Sequence, residues 1–178
     1  MAGMVKGMFL TAAALLTLLC APPAMADNLP PFKAESPGAA DFSGLKLKKP
    51  DGTAIALSGF SGKVLLLNLA STWCAPCYAE MPALNRLFAA YRGKGLAVVT
   101  VIVHNGGAAK AKKFAEKTGA RFPVLIEEET DVMSRLGLSE LPVSFILDKK
   151  GNAIAKISGA AAWDGPEAAT YFEKLLEQ

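Results

Sequence analysis

The apolar positions of the chain fall into continuous runs and helical stripes, and this pattern predicts an α/β protein. Residues 64–69, 96–103 and 141–147 are almost uninterrupted apolar runs, which is typical of strands buried on both faces of a sheet. Between the first two runs, apolar residues recur at steps of three and four, as they do on one face of a helix. The order of elements therefore predicts a mixed central β-sheet flanked by helices on both faces.

Shorter patterns predict the remaining elements. Two alternating runs at 45–47 and 55–57 flank Pro50-Asp51-Gly52, which predicts an N-terminal β-hairpin. The helix after the first core strand contains Pro82, which we expect to kink it without ending it. The other predicted elements are a helix from Gly107 to about Thr118, a strand at 123–126, a short helix ending near Gly137, a strand at 153–158 and a final helix from Gly165-Pro166.

The N-terminus has the features of a secretory signal. Lys6 precedes an apolar run that is short for a membrane span, and Ala24-Met25-Ala26 supplies a cleavage site, so we predict a signal peptide over residues 1–26. An uncleaved anchor helix and lipid attachment at Cys20 are alternatives, and all three place the following domain outside the cytoplasm. We predict a flexible linker over 27–40, which is rich in Pro and Ala, and a folded domain over 41–178.

The net charge argues against a nucleic-acid partner. Removal of residues 1–26 takes away only Lys6 among the charged residues, so the formal net charge falls from +3 to +2. The lysines of the predicted helix over 107–118 are interpreted as a solvated face. We therefore expect no nucleic-acid binding. We also expect the protein to be a monomer.

Two cysteines, Cys74 and Cys77, remain after the predicted cleavage. Their close spacing makes a disulfide of little value for holding distant parts of a fold together, so a redox role is favoured. Cys74 lies where a strand leads into a helix, and the free N–H groups of a helix start stabilise a thiolate there. Pro76 fixes the backbone between the two sulfurs, so Cys77 is placed to resolve a mixed disulfide formed by an exposed Cys74.

Few other residues in the chain could complete a metal site with the cysteine pair. Zinc needs two further ligands, and the only candidate outside the pair is the single histidine, His104. Covalent haem attachment needs a histidine directly after the second cysteine, where this chain has Tyr78. Two thiolates are sufficient for Cu(I), so a copper-delivering module stays an alternative to a redox enzyme. The hypothesis of a redox-active cysteine pair requires no metal and no other cofactor.

Beyond these arguments, the chain resembles a known family. The segments Gly62 to Asn68, Thr72 to Cys77 and Glu80 to Pro82, together with Leu141-Pro142, are similar to those of thioredoxin-fold proteins, and more specifically of the TlpA-like branch with its ResA and CcmG (DsbE) types. The similarity runs through about residues 60–178. It implies a thioredoxin-like α/β fold with the β-hairpin as an N-terminal extension.

The resemblance also implies roles for individual residues. Cys74 would be the nucleophile and Cys77 the resolving thiol, joined as a Cys74–Cys77 disulfide in the oxidised form. Trp73 would flank the site, and Pro142 would be the cis-proline whose loop packs against the disulfide and docks the substrate backbone. Glu80 matches a carboxylate that shuttles protons to Cys77.

Three departures from the family pattern bear on specificity. Asn68 stands where cytoplasmic thioredoxins carry a buried aspartate, so no proton relay is expected from it. Ala70 and Ser71 replace a Trp-Ala pair and open space beside the active-site helix. Val143 and Ser144 follow the proline at a place where the CcmG type often has a glutamate, which weakens a role in cytochrome c assembly.

The expected function is a periplasmic or other extracytoplasmic thiol-disulfide oxidoreductase, which acts as a reductase of specific partner disulfides. Apocytochrome c and the copper-site cysteines of a respiratory oxidase are the candidate clients. A reductase in an oxidising compartment needs an electron supply, so a membrane thiol-reducing transporter of the DsbD or CcdA kind is the implied donor. An oxidase or isomerase of the same fold and a Cu(I) chaperone are the alternatives.

Overall fold

The computed structural model describes residues 29–103, 107–127 and 132–178. The predicted signal peptide or anchor over 1–26, His104 and most of the acidic run at 127–131 lie outside the described residues. Within the described part, no helix is both long and apolar enough to span a membrane.

The described residues form seven strands and four α-helices. The strands are β1 Leu47–Lys48, β2 Ala54–Ile55, β3 Val64–Ala70, β4 Leu96–Ile102, β5 Val124–Glu127, β6 Val143–Leu147 and β7 Ala153–Ser158, and the helices are α1 Ala75–Tyr91, α2 Gly107–Thr118, α3 Val132–Arg135 and α4 Pro166–Leu176. The strands make one mixed sheet in the order β2-β1-β5-β4-β3-β6-β7. The central strand β3 pairs in parallel with β4 and antiparallel with β6.

The two faces of the sheet carry separate cores. Alternate residues of the fully buried strand β3 point to opposite faces, with Leu66 in one core and Leu67 in the other. Helices α1, α2 and α4 cover the first face, and α3 with the chain around the hairpin covers the second. The predicted thioredoxin-like architecture, a mixed central sheet with helices on both faces, is therefore confirmed.

The predicted N-terminal hairpin is also confirmed. β1 and β2 pair antiparallel, with Leu47 opposite Ile55, and Gly52 takes a positive φ of 90° in the turn between them. β1 pairs on its other side with β5, so the hairpin extends the central sheet. It adds no separate domain.

The structure corrects the prediction of a flexible linker over 27–40 in the part that it describes. Phe32 is buried in the first core, and Glu35 forms an isolated antiparallel bridge with Lys156 of β7. The segment lacks periodicity, so its sequence gave no indication of this docking, which one aromatic side chain and three backbone hydrogen bonds provide. We refer to residues 29–35 as the N-terminal strap.

Helix α1 positions the cysteine pair. Cys74 is its N-cap residue, and Pro76 lies in its first turn, where the missing N–H of proline costs no helical bond. As predicted, the helix continues through Pro82, and it ends at Tyr91. Its buried side rests on the same face of the sheet as Asn68 of β3, so the cysteines lie above the C-terminal end of the central strand.

Candidate redox-active site

The central feature of the site is a disulfide bond between Cys74 and Cys77 at the start of α1. The backbone of Cys74 is extended, and the N–H of Cys77 donates a hydrogen bond of 3.2 Å to Cys74 Sγ. This N–H is one of the donors that a helix start leaves without a carbonyl partner. The sulfur of Cys74 therefore takes the place of an N-cap oxygen, and negative charge on it is stabilised by the helix terminus.

The two cysteines are less exposed than the sequence suggested. Cys74 is 4% exposed and Cys77 is 0% exposed, whereas Trp73 beside them is 70% exposed. The expectation of a freely exposed Cys74 sulfur is thus corrected for this disulfide-bonded form, because the sulfur is turned toward the helix start. The adjoining residues Trp73, Ala75 and Pro76 carry the exposed surface instead.

Pro142 lies at the same end of the sheet as the disulfide. Its neighbour Val143 pairs with Leu69, which is next to the last residue of β3 on the way to Cys74. The Leu141–Pro142 peptide bond is cis, as the resemblance implied. The carbonyl of Pro142 accepts a hydrogen bond of 2.9 Å from the N–H of Gly159.

Glu80 lies one turn beyond Cys77 and is completely buried. The side-chain amide of Asn68 donates to Glu80 Oε1 at 2.8 Å, and the indole N–H of Trp163 donates to Oε2 at 2.7 Å. The backbone of Ala161 also lies where it lowers the pKa of Glu80. Each of the two carboxyl oxygens thus accepts a hydrogen bond from a neutral donor.

Two opposing effects set the protonation of this carboxyl group. Burial raises the pKa of Glu80 because it penalises the charged form, and the hydrogen bonds from Trp163, Asn68 and Ala161 lower it again. Burial prevails, and the pKa of Glu80 rises from 4.5 to about 7. The site thus combines a disulfide bond with a buried carboxyl group whose pKa is near neutral pH.

Three polar side chains form a row across the central strands beneath α1. Asn68 of β3 lies opposite Thr100 on β4 and opposite Ser144 on β6. The Thr100 hydroxyl donates to Asn68 Oδ1 at 3.0 Å, and Asn68 Nδ2 also donates to Ser144 Oγ at 3.0 Å. With its oxygen bonded to Thr100, the amide of Asn68 presents an N–H to Glu80, which is the donor that an ionised carboxylate requires.

The sequence interpretation found part of this site. It singled out Cys74, Cys77, Trp73, Pro76, Glu80 and Pro142, and noted Asn68 in place of a buried aspartate. It did not assign Thr100, Ser144 or Trp163 to the site. Two of these had the same signal as Asn68, since each is a polar residue inside an otherwise apolar run, whereas the approach of Trp163 to Glu80 across 83 residues left no local sign.

Two further features bear on the chemistry of the site. Ser71, on the connection from β3 to Cys74, has a buried hydroxyl without a hydrogen-bond partner among the described residues. No three His, Cys, Asp or Glu side chains within the described ranges form a group that could hold a metal ion. A metal site with only two such ligands is not addressed by that finding.

Comparison with known sequences gives a consistent set of relatives. A profile described as the AhpC/TSA family matches residues 37–156. The thiol-disulfide oxidoreductase ResA of Bacillus thuringiensis subsp. konkukian is 36% identical over 109 residues, which are 61% of this chain and 62% of that protein. ResA of Bacillus cereus strain ZK is 35% identical over 125 residues, 70% of each chain. The chain thus spans less than two thirds of the length of the first of these relatives.

Solved structures share the fold. A protein of Chlorobium tepidum assigned as thiol:disulfide interchange protein DsbE has a TM-score of 0.65 and 24% identity, with 84% of this chain and 98% of that chain covered. StoA of Bacillus subtilis has a TM-score of 0.55 and 23% identity, with 74% and 92% covered. At this level of identity the likeness concerns the fold.

Proposed function

Since the chain belongs to the AhpC/TSA family, we propose that it is an extracytoplasmic thiol-disulfide oxidoreductase, and that it reduces disulfides of specific partner proteins. The observation that carries the proposal is the Cys74–Cys77 disulfide at the start of α1, with a helix N–H donated to Cys74 Sγ. The ResA relatives, whose names describe thiol-disulfide oxidoreductases, support the same activity.

In the reduced protein, Cys74 is the nucleophile. Its thiolate attacks one sulfur of the partner's disulfide, an S–S bond forms between Cys74 and the partner, and the partner's other sulfur leaves as a thiolate that takes up a proton. The helix start favours this order of events, because it stabilises the thiolate of Cys74 and not that of Cys77.

Cys77 completes the reaction. Its thiolate attacks Cys74 Sγ, the Cys74–Cys77 bond forms, and the second sulfur of the partner leaves and is protonated. Two electrons have then passed from the cysteine pair to the partner. The buried position of Cys77 suits a thiol that reacts within the molecule and not with solvent.

Glu80 is the proposed acceptor of the Cys77 proton. It follows Cys77 by three residues on α1, so both side chains lie on one side of the helix. Since the pKa of Glu80 is raised to about 7, its carboxyl group both takes and releases a proton near neutral pH. Burial of Cys77 limits direct exchange with water, which makes a local acceptor useful.

Trp73 and the loop before β6 form the proposed docking surface. The exposed ring of Trp73 offers apolar contact area beside Cys74. Pro142 would lie along the substrate backbone on the other side of the disulfide. We propose that the client brings a disulfide or thiol into the space between these two residues.

The proposed location and partners rest on the N-terminal sequence and on the family. The predicted signal over 1–26 places the domain in an oxidising compartment, where a reductase needs a dedicated electron donor. A membrane thiol-reducing transporter of the DsbD or CcdA kind fits that requirement. Apocytochrome c and the cysteines of an oxidase copper site are the proposed clients, and the enzyme itself would act as a monomer.

A trapping experiment tests the activity. Cys77→Ser leaves the nucleophile without its resolving thiol, so it should accumulate mixed disulfides with partners, visible on non-reducing gels and lost on reduction. Cys74→Ser is the matched control and should trap none. If Cys77→Ser traps no partner and the wild-type protein binds one Cu(I) tightly, the copper chaperone becomes the better description.

The reduction potential of the Cys74–Cys77 pair tests the direction of electron flow. Equilibration with a thiol/disulfide buffer of known potential should give a value typical of reductases, near that of thioredoxin at about −270 mV. A value near −120 mV, roughly that of strong periplasmic oxidants, would contradict the reductase assignment and favour an oxidase.

A further inference from the structure

The N-terminal strap meets the buried site through Trp163. The ring of Phe32 packs edge-on against the ring of Trp163, with 5.6 Å between the ring centroids. Phe32 also contacts Tyr171 and Phe172 of α4, at 5.2 and 6.2 Å. The strap thus closes an aromatic cluster over the side chain of Trp163, which is fully buried.

The backbone of the strap is bonded to the same turn. The carbonyl of Pro30 accepts a hydrogen bond of 2.8 Å from the N–H of Ala162. On one side of Ala162, the indole of Trp163 donates to the carboxyl group of Glu80. On the other side, the backbone of Ala161 lowers the pKa of the same group. One side-chain contact and one backbone bond therefore connect the strap to the segment that holds Glu80.

All groups bonded to Glu80 are neutral donors. Asn68 approaches from β3, while Ala161 and Trp163 approach from the connection between β7 and α4. An indole N–H has no acceptor function, so it can bind the carboxylate but cannot accept a hydrogen bond from the protonated acid. On α1 itself, the titratable groups nearest in sequence are Tyr78, whose hydroxyl donates to the carbonyl of Thr72, and Cys77, which forms the disulfide here.

We propose that Trp163 is a positioning residue for Glu80, and that the N-terminal strap fixes Trp163 through Phe32 and Pro30. The inference rests on the proposed function, because Glu80 matters for catalysis only if it exchanges protons with the cysteine pair. The strap, although remote from Glu80 in sequence, thereby influences the position of the Glu80 carboxyl group and the pH at which that group loses its proton.

The indole resonance of Trp163 provides a direct test. The chain has two tryptophans, one exposed and one buried, so ¹H–¹⁵N spectra of the full protein show two indole signals, and Trp163→Phe assigns them. We expect the Trp163 signal to titrate with a midpoint of about 7 in the oxidised protein, and Glu80→Gln to abolish that titration. An equal titration in Glu80→Gln would overturn the proposal.

The contribution of the indole to Glu80 is tested by Trp163→Phe, which keeps an aromatic ring and removes the donor. The pKa of Glu80, followed by the ¹³C shift of its carboxyl carbon, should rise by about one unit, a tenfold change, because one hydrogen bond to the charged form is lost. The pH at which the potential of the cysteine pair changes slope should move with it. An unchanged pKa would show that Trp163 only fills space.

The strap is tested by Phe32→Ala and by the milder Phe32→Leu. Hydrogen exchange of the Trp163 indole N–H should become at least about tenfold faster in Phe32→Ala and change less in Phe32→Leu, since leucine keeps an apolar cover. Phe42→Ala is the matched control, because Phe42 packs on Phe145 in the other core. Equal acceleration in Phe42→Ala would mean general loosening and would overturn the role of the strap.

These outcomes are separable from a failure of the proposed function. If the protein traps no partner through Cys74, but the indole titrates and responds as described, the thiol-disulfide activity is wrong and the positioning role of Trp163 stands. If partners are trapped normally and the indole does not report Glu80, the activity stands and the positioning role is wrong.

Discussion

The side-chain amide of Asn68 donates a hydrogen bond of 2.8 Å to Glu80 Oε1, inside the core between β3 and α1. In the same network, the amide oxygen accepts from the Thr100 hydroxyl, and the amide nitrogen also donates to Ser144. A neutral donor at position 68 thus stabilises the charge of a neighbouring acid without adding a second ionisable group to the core.

Asn68→Asp should make folding depend more strongly on pH. The substitution preserves shape but places two carboxyl groups side by side, and such a pair cannot ionise fully in a buried site. At pH 8 we expect the free energy of unfolding to fall by about 3 kcal/mol, with a smaller loss at pH 5, where the pair retains a proton. Urea unfolding at both pH values measures this. Ser144→Ala removes a hydrogen bond without adding charge, so its effect should be similar at both.

Glu80 itself should make the protein less stable as the pH rises from about 4.5 to 7. Because its pKa is raised on folding, the folded state binds more protons than the unfolded state in this window, and stability falls by about 3 kcal/mol across it. In Glu80→Gln that part of the pH dependence should be absent. The check is the difference between the two unfolding free energies as a function of pH, and a constant difference would contradict the assignment.

The two cysteines of the reduced protein should differ in their reaction with alkylating agents. Cys74 Sγ accepts a hydrogen bond from a helix N–H, and Cys74 is 4% exposed among more exposed neighbours. Cys77 is 0% exposed. Iodoacetamide at neutral pH should therefore modify Cys74 faster, by on the order of tenfold or more. Mass spectrometry of peptides after short labelling measures the ratio. In denaturant the two rates should become similar, and equal rates in the folded protein would contradict the proposed roles.

Removal of the strap's aromatic anchor should lower stability markedly. Phe32→Ala leaves a cavity among Trp163, Tyr171 and Phe172, and the cost for a buried phenylalanine is about 3 kcal/mol. Phe42→Ala should cost less, because Phe42 is only partly buried. Thermal unfolding of both variants tests the order. A neutral Phe32→Ala would indicate that the strap does not stay docked in solution.

The sequence predicted the elements well where local pattern decides the structure. The runs around Leu66 and Val99 became buried parallel strands. Helix α1 ended at Tyr91, and the short 3₁₀ turn that follows it ends at Gly95, which takes a positive φ of 101°. These outcomes depend on periodicity and on turn chemistry, both of which are local.

Long-range contacts were not predictable in the same way. Nothing near Trp163 indicates that its indole reaches Glu80, since the contact depends on how the β7–α4 connection crosses the core. Phe32 was assigned to a linker because one aromatic residue produces no period. Only the polar residues inside apolar strands, Asn68, Thr100 and Ser144, gave a sign that a buried polar network would form.

The bridge between Glu35 and Lys156 has a consequence for how the protein behaves at high concentration. β7 is an outer strand of the sheet, and an uncovered outer strand offers its N–H and C=O groups to the backbone of another molecule. Two hydrogen bonds of 2.8 and 2.9 Å between these residues occupy part of that edge. The same segment that packs over the buried acid thus obstructs intermolecular β-pairing, and its detachment would expose a site at which aggregation can begin.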